Sequence, residues 1–165
     1  MDTVYIATSI VSYAMARRTS DVATAALQQE ARRWMLEQRQ NFAVVTSQLM
    51  VAVAAAGDSD AAARRLAMLI DIPVLTENPE VVRISDELLR RSLMPPNARV
   101  DALHVAIAAL AGVQYLLTLN CRHIANSRVL RRVCRLLDEF GLSGLLVCTH
   151  MEFLGGSSNA QQPNP

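Results

Sequence analysis

The chain contains no lysine; all 16 of its basic residues are arginine. Set against 15 acidic residues they leave a formal net charge of +1, so the molecule as a whole exerts little long-range field. An acidic or nucleic-acid partner must then be met by a local patch, for which the forked guanidinium suits carboxylates and phosphates. Aromatic residues are only 4% of the chain, too few for a platform on which single-stranded bases would stack. The three cysteines (Cys121, Cys134, Cys148) form no CxxC pair and no zinc spacing. An odd number of cysteines, with no basic region after Met1 to suggest a signal peptide, predicts reduced thiols and a cytoplasmic protein. No apolar run is long enough for a membrane span; the richest, 102–113, is interrupted by His104. Glycine-rich phosphate cradles (GxGxxG, Walker A) and the GxSxG nucleophile elbow are absent, which argues against ordinary dinucleotide, nucleotide and serine-hydrolase chemistry.

What is present is apolar. Hydrophobic residues make up 52% and charged residues 19%, enough for one domain with a core of Ala, Val, Leu, Ile and Met. Residues 1–155 are predicted to form that domain, and 156–165, rich in turn residues, a disordered tail. Short β-branched or continuously apolar runs predict strands at 3–7, 42–46, 73–75, 114–118 and 145–148. Between them helical spacing predicts helices at 20–39, from Ser47 to Gly57, from Asp58 or Ser59 to 70, from Asn78-Pro79 to 93, from Asp101 to Gly112, and 127–140 stopped by Gly141. This alternation implies an α/β fold with a mostly parallel central sheet, flanked by helices on both faces. In such sheets a site lies at the carboxyl ends of the strands, here 7–9, 46–48, 118–123 and the loop before Asp101.

Four stretches, VYIATSIVSY, VTSQLMVAVAAAGD, RVDALHVAIAALAGVQYLLTLNCRHIAN and VCTHMEFLG, together resemble PIN-domain proteins of the VapC-like toxin type, from type II toxin–antitoxin pairs. The resemblance covers about residues 4–155 and is most specific over 101–126. It implies a PIN-like parallel sheet wrapped by helices, an endoribonuclease dependent on Mg²⁺ or Mn²⁺, RNA as substrate, a small antitoxin-like protein as partner, and a homodimer. The metal needs acids: Mg²⁺ demands octahedral oxygen coordination, and it generates hydroxide from water while neutralising the scissile phosphate.

Position by position, the family pattern fits in part. The acid that should end the first strand is Ala7, followed by Thr8 and Ser9. Asp2 stands five residues earlier, roughly 16 Å away at ~3.3 Å per residue, and is no replacement. The glutamate expected on the helix after the second strand is Val53, beside Ala52. Asp101 is kept in its DALHVAIA context. In the last segment Asn120 is kept, and His123 stands at the aspartate position. The resemblance thus implies Asp101, Asn120 and His123 as the catalytic set, Asp101 and His123 as metal ligands, and Thr8, Ser9 and Arg122 as phosphate contacts. Each carboxylate replaced by a methyl removes roughly 8 kcal/mol of gross attraction for a dication at 4 Å and an effective dielectric near 20, before desolvation. Three readings follow: a ribonuclease with weak metal binding, a non-catalytic PIN relative that binds an antitoxin-like partner or RNA, or a structural protein that uses the α/β scaffold as a dimerisation unit.

Simpler roles compete for the same residues. Asp101 is also a candidate helix N-cap. His104, one turn later, either orders Asp101 or sits buried and hydrogen-bonded, and the second is favoured. His123, past a strand end, is suited to a softer ion such as Mn²⁺ or Zn²⁺. Asn120 is a candidate loop brace, and Thr8 and Ser9 are candidate helix caps. Cys121 lies beside the expected site but has no second thiol near it in sequence. Arg128, Arg131, Arg132 and Arg135 follow i, i+3, i+4, i+7 spacing, which makes a basic stripe on one helix face: a solvated surface, or a track for RNA or an acidic segment.

Overall fold

The computed structural model describes residues 1–120, 122, 124 and 126–151, so the expectations for Cys121, His123 and the tail lie outside the described residues. Four strands, β1 (Thr3–Ile6), β2 (Ala43–Val45), β3 (Tyr115–Leu117) and β4 (Leu146–Cys148), form one all-parallel sheet in the order β2-β1-β3-β4. Seven helices surround it among the described residues: α1 (Thr8–Met15), α2 (Val22–Arg33), α3 (Gln48–Ala54), α4 (Ser59–Ala67), α5 (Glu80–Arg90), α6 (Arg99–Leu110) and α7 (Ser127–Glu139). The molecule is α/β, as the alternation of elements implies. None of the described helices is long and apolar enough to cross a membrane.

The strands read as unbroken apolar runs because both faces are covered. Val4 and Ile6 join a cluster with Ile10 of α1, Ala31 of α2 and Met50 of α3. Tyr5, between them, faces the other way, into a cluster with Leu88 of α5, Val105 of α6 and Leu136 of α7. That is the period-two alternation of a strand, with a hydrophobic layer on each side. Helix α6 buries Ala102, His104, Val105, Ala106, Ala108 and Ala109, which explains why its sequence has so little polar face.

Helix caps follow the sequence. Ser47, Asp58 and Asn126 accept from Met50 N–H, Ala61 N–H and Arg128 N–H at the starts of α3, α4 and α7. Gly141, at φ +72°, supplies the left-handed turn that ends α7. Two expectations are corrected. The helix over 20–39 ends at Arg33 and continues as a π-helical turn (Trp34–Gln38) and a 3-10 turn (Arg39–Asn41). This widened turn buries both Trp34 and Met35 and sets the Trp34 ring against Phe42, 6.3 Å between centroids. Residues 73–75 are no strand: Val74 makes only an isolated parallel bridge to Thr46. Pro73 offers a carbonyl to Thr46 N–H but has no N–H with which to extend a ladder.

Arginine side chains close helix ends where glycine is missing. Arg32 donates through Nε to Ala14 O and through Nη2 to Ala16 O, both at 2.8 Å, and so seats the end of α1 on α2. Arg32→Ala should lower stability by about 2 kcal/mol, since hydrogen bonds from a charged donor contribute roughly 1.5–3 kcal/mol and both acceptors lose theirs. A denaturant titration checks this, and an unchanged midpoint would show that the carbonyls are satisfied without it.

The chain passes from β1 to β2 on one side of β1 and returns to β3 on the other. The topological switch point is therefore between β1 and β3. The crevice at their carboxyl ends is where an open α/β sheet places a ligand.

Candidate functional site

Ala7 follows β1 directly. Its N–H donates to Leu117 O at 2.9 Å, and its extended backbone (φ −80°, ψ 161°) makes it the cap residue of α1, without a side-chain bond. Its methyl is 2% exposed and belongs to the core layer of α5, α6 and α7. Thr8 and Ser9 are therefore not caps, and their hydroxyls are used elsewhere.

Two hydrogen-bonded chains start from these neighbouring hydroxyls. The first crosses the switch point. Ser9 Oγ accepts from Leu119 N–H at 2.9 Å and lies 3.3 Å from Thr118 Oγ1. Thr118 Oγ1 accepts from Asn120 N–H at 3.0 Å, and Asn120 Nδ2 donates to Asp101 Oδ2 at 2.8 Å. Asp101 is the third residue of α6, whose cap is Ala98, so the N-cap expectation for Asp101 is corrected: its carboxylate serves the loop after β3. Asn120 braces that loop twice over, since its carbonyl also accepts from Ile124 N–H.

The second chain runs through the interior. Thr8 Oγ1 meets His104 Nε2 at 2.8 Å, His104 Nδ1 meets Tyr5 Oη at 2.7 Å, and Tyr5 Oη meets Ser47 Oγ at 2.7 Å. His104 is 1% exposed, and burial lowers its pKa to about 4, so the ring is neutral at pH 7. A neutral imidazole has one donor and one acceptor nitrogen, which makes it a link between two hydroxyls rather than a charge. Burial raises the Tyr5 phenol above its ordinary range, so Tyr5 also stays uncharged. His104 bonds neither Asp101 nor solvent, and the buried, hydrogen-bonded role is the observed one.

The structure thus brings Asp101, Asn120, Ser9 and Thr8 to one edge. Arg122 is exposed in the loop after β3, with no ion pair among the described residues, and His123 lies outside them. Val53 is half-buried on α3, and Ala52 is exposed. Sequence reasoning passed over Tyr5, Ser47 as more than a cap, and Thr118. One signal was available: a tyrosine inside a strand covered on both faces needs a partner for its hydroxyl. At the neighbouring strand ends, Thr46 Oγ1 and His150 Nδ1 are buried without a partner among the described residues.

This donor set does not fit Mg²⁺. It offers one carboxylate, already accepting from an amide, and hydroxyls that bond one another or the imidazole. Among the described residues no group of three His, Cys, Asp or Glu side chains is placed to share an ion. Mg²⁺ sites use carboxylates, phosphates and several waters at close to ideal octahedral geometry. On the outer side of α6 lies a separate, mainly apolar groove of about 560 Å³, lined by Ser47, Leu75, Val82, Leu103 and Ile107 among others.

Comparison with protein-family models, with curated proteins and with solved structures gives no match.

Proposed function

We propose that this chain is a PIN-domain protein of the VapC-like toxin type, derived from a divalent-metal-dependent endoribonuclease, in which cleavage is impaired and binding of RNA and a small antitoxin-like protein is what remains. One observation carries the reading. At the switch point of the sheet, where the pattern calls for a carboxylate, stands the buried methyl of Ala7. The hydroxyls of Thr8 and Ser9 that follow it are bonded to a neutral imidazole and to the loop after β3, and Asp101 braces that loop. Such an edge can hold a strand end and a loop rigidly. It lacks the negative charge that grips a dication and activates water.

The protein partner is supported by the groove beside α6. Its wall carries Val82, 53% exposed, at the start of α5, and an apolar groove of this kind takes a partner's apolar side chains. A homodimer is the second assembly that this groove would serve.

The test is cleavage of a labelled RNA by the purified chain with Mg²⁺ and then Mn²⁺, beside Asp101→Ala. The two rates should coincide. A native rate well above that of Asp101→Ala, abolished by chelation, would show that the reduced set still performs metal-assisted cleavage and would remove the proposal.

A further inference from the structure

Helix α7 carries charge in an order that its own stability does not explain. Arg128, Arg131, Arg132 and Arg135 are exposed on one face, and Val133, Leu136 and Leu137 are buried on the other. Arg128 lies in the first turn, where no acidic residue is present, and Asp138 and Glu139 lie in the last, where no basic one is. The helix macrodipole favours the reverse, with acids at the N-terminus and bases at the C-terminus, by roughly 0.3–1 kcal/mol per charge. Like charges at i, i+3 and i, i+4 add a further cost of roughly 0.2–0.5 kcal/mol per pair.

Elsewhere such charges are offset in part: Arg17, Arg18 and Arg64 also stand without an ion pair among the described residues, but they do not make a stripe on one helix face. Arg33, Arg83, Arg90, Arg91 and Arg99 each meet a carboxylate, and Arg32 and Arg65 are spent on helix-end carbonyls. The four arginines of α7 have no ion pair among the described residues; Glu139 is taken by Arg91 of α5 at 2.6 Å, and Asp138, three residues after Arg135, pairs with none of them. The face also lacks the apolar centre that a folded protein partner would use: none of the exposed large hydrophobic residues lies on α7.

We infer that the outward face of α7 is a docking track for the phosphate backbone of single-stranded nucleic acid, read without regard to base. From Arg128 to Arg135 the helix rises about 10 Å. That matches roughly three phosphates of a single strand that keeps its bases stacked, with the duplex-like rise of about 3.4 Å per nucleotide. Guanidinium forks suit phosphate oxygens, and the positive end of the helix adds to the attraction at Arg128. The scarcity of aromatic residues fits contact with the backbone rather than stacking on bases. The track rests on the RNA-binding part of the proposed function but on no chemistry at the sheet edge, so it stands or falls separately from the cleavage reading.

The test is a binding titration of labelled oligouridine, with oligodeoxythymidine and polyglutamate as parallel probes, all in chelator so that cleavage plays no part. With about three phosphates neutralised, the slope of log affinity against log salt should be about −2, or roughly 20-fold weaker binding on going from about 50 to about 200 mM salt. The variant carrying Arg128→Gln, Arg131→Gln, Arg132→Gln and Arg135→Gln should bind both oligonucleotides about tenfold or more weakly at low salt, with a nearly flat slope. Its melting temperature should be equal or higher, because like-charge repulsion is relieved; this separates loss of contact from loss of fold. Unchanged oligonucleotide affinity in that variant would overturn the track. So would native binding to polyglutamate tighter than to either oligonucleotide, which would assign the face to an acidic protein segment instead. Oligouridine bound more tightly than oligodeoxythymidine would name RNA as the source of the backbone, and equal binding would leave single strands of either kind; both support the track.

Discussion

Ala7→Asp combined with Val53→Glu should convert the chain into a metal-dependent ribonuclease, with a rate gain on the order of 10²-fold or more over the native protein. The expectation rests on position. Residue 7 ends β1 at the switch point, and residue 53 lies on the helix that follows β2, on the element capped by Ser47. Under the proposed reading they would add two carboxylates, at the positions where the family pattern has acids, to the one that Asp101 now offers. Either substitution alone should do far less, because groups that act as a unit are strongly non-additive. Activity is not the only readout. Position 7 is 2% exposed, and an aspartate placed there is a nearly buried charge, which destabilises the fold unless it is paired. A bound cation would supply that pairing. The double variant should therefore melt below the native chain in chelator and recover with Mn²⁺, by about 2.7 kcal/mol at a hundredfold excess over Kd. The native chain should show no such recovery. If Mn²⁺ leaves the melting of the double variant unmoved, the alignment of residues 7 and 53 with metal-binding positions is wrong, whatever the cleavage assay gives.

What the sequence discloses here is mostly local. The apolar strands disclose a sheet covered on both faces, because an unbroken apolar run is visible within a few positions. Ser47, Asp58 and Asn126 are legible as caps because the oxygen and the amide it serves are two or three residues apart. The turn of Trp34–Gln38 is not legible, since one extra residue in a helical turn leaves the apolar spacing almost intact while rotating everything after it. Least visible is the polar framework of the edge. Tyr5 and His104 are 99 residues apart in the chain, Ser9 and Leu119 are 110 apart, and nothing near any of them says which residue is the partner. Asp101 shows the same limit from the other side. Its place before an apolar helix reads as a cap, yet the helix begins two residues earlier at Arg99, which frees the carboxylate for Asn120.

Acid should unfold this protein earlier than its carboxylates alone would dictate, through His104. In the unfolded chain the imidazole titrates near 6.5; in the fold, burial holds it to about 4. A base whose folded pKa is depressed binds fewer protons when folded, so stability rises with pH across the interval between the two values and is lost on going down through it. The loss begins as pH falls through about 6.5 and is nearly complete at about 4, where it amounts to about 3 kcal/mol. That is a large share of the 5–15 kcal/mol typical of a domain. The carboxylates act in a lower window. Glu87, held down to about 2 by Arg90 and Arg91, begins to lose its contribution only as pH falls through its ordinary 4.5. His104→Phe separates the two. At pH 7 it should cost about 1–2 kcal/mol, because Thr8 loses a partner and Tyr5 keeps only Ser47. Near pH 4 the order should invert, since phenylalanine has no proton to take up and the native ring is being forced to accept one inside the core. Denaturant midpoints of both proteins from pH 7 to pH 4 would show two lines that cross. Parallel lines would mean that His104 is reached by water on the way to protonation, and that the chain from Thr8 to Ser47 is looser than its 2.7–2.8 Å contacts imply.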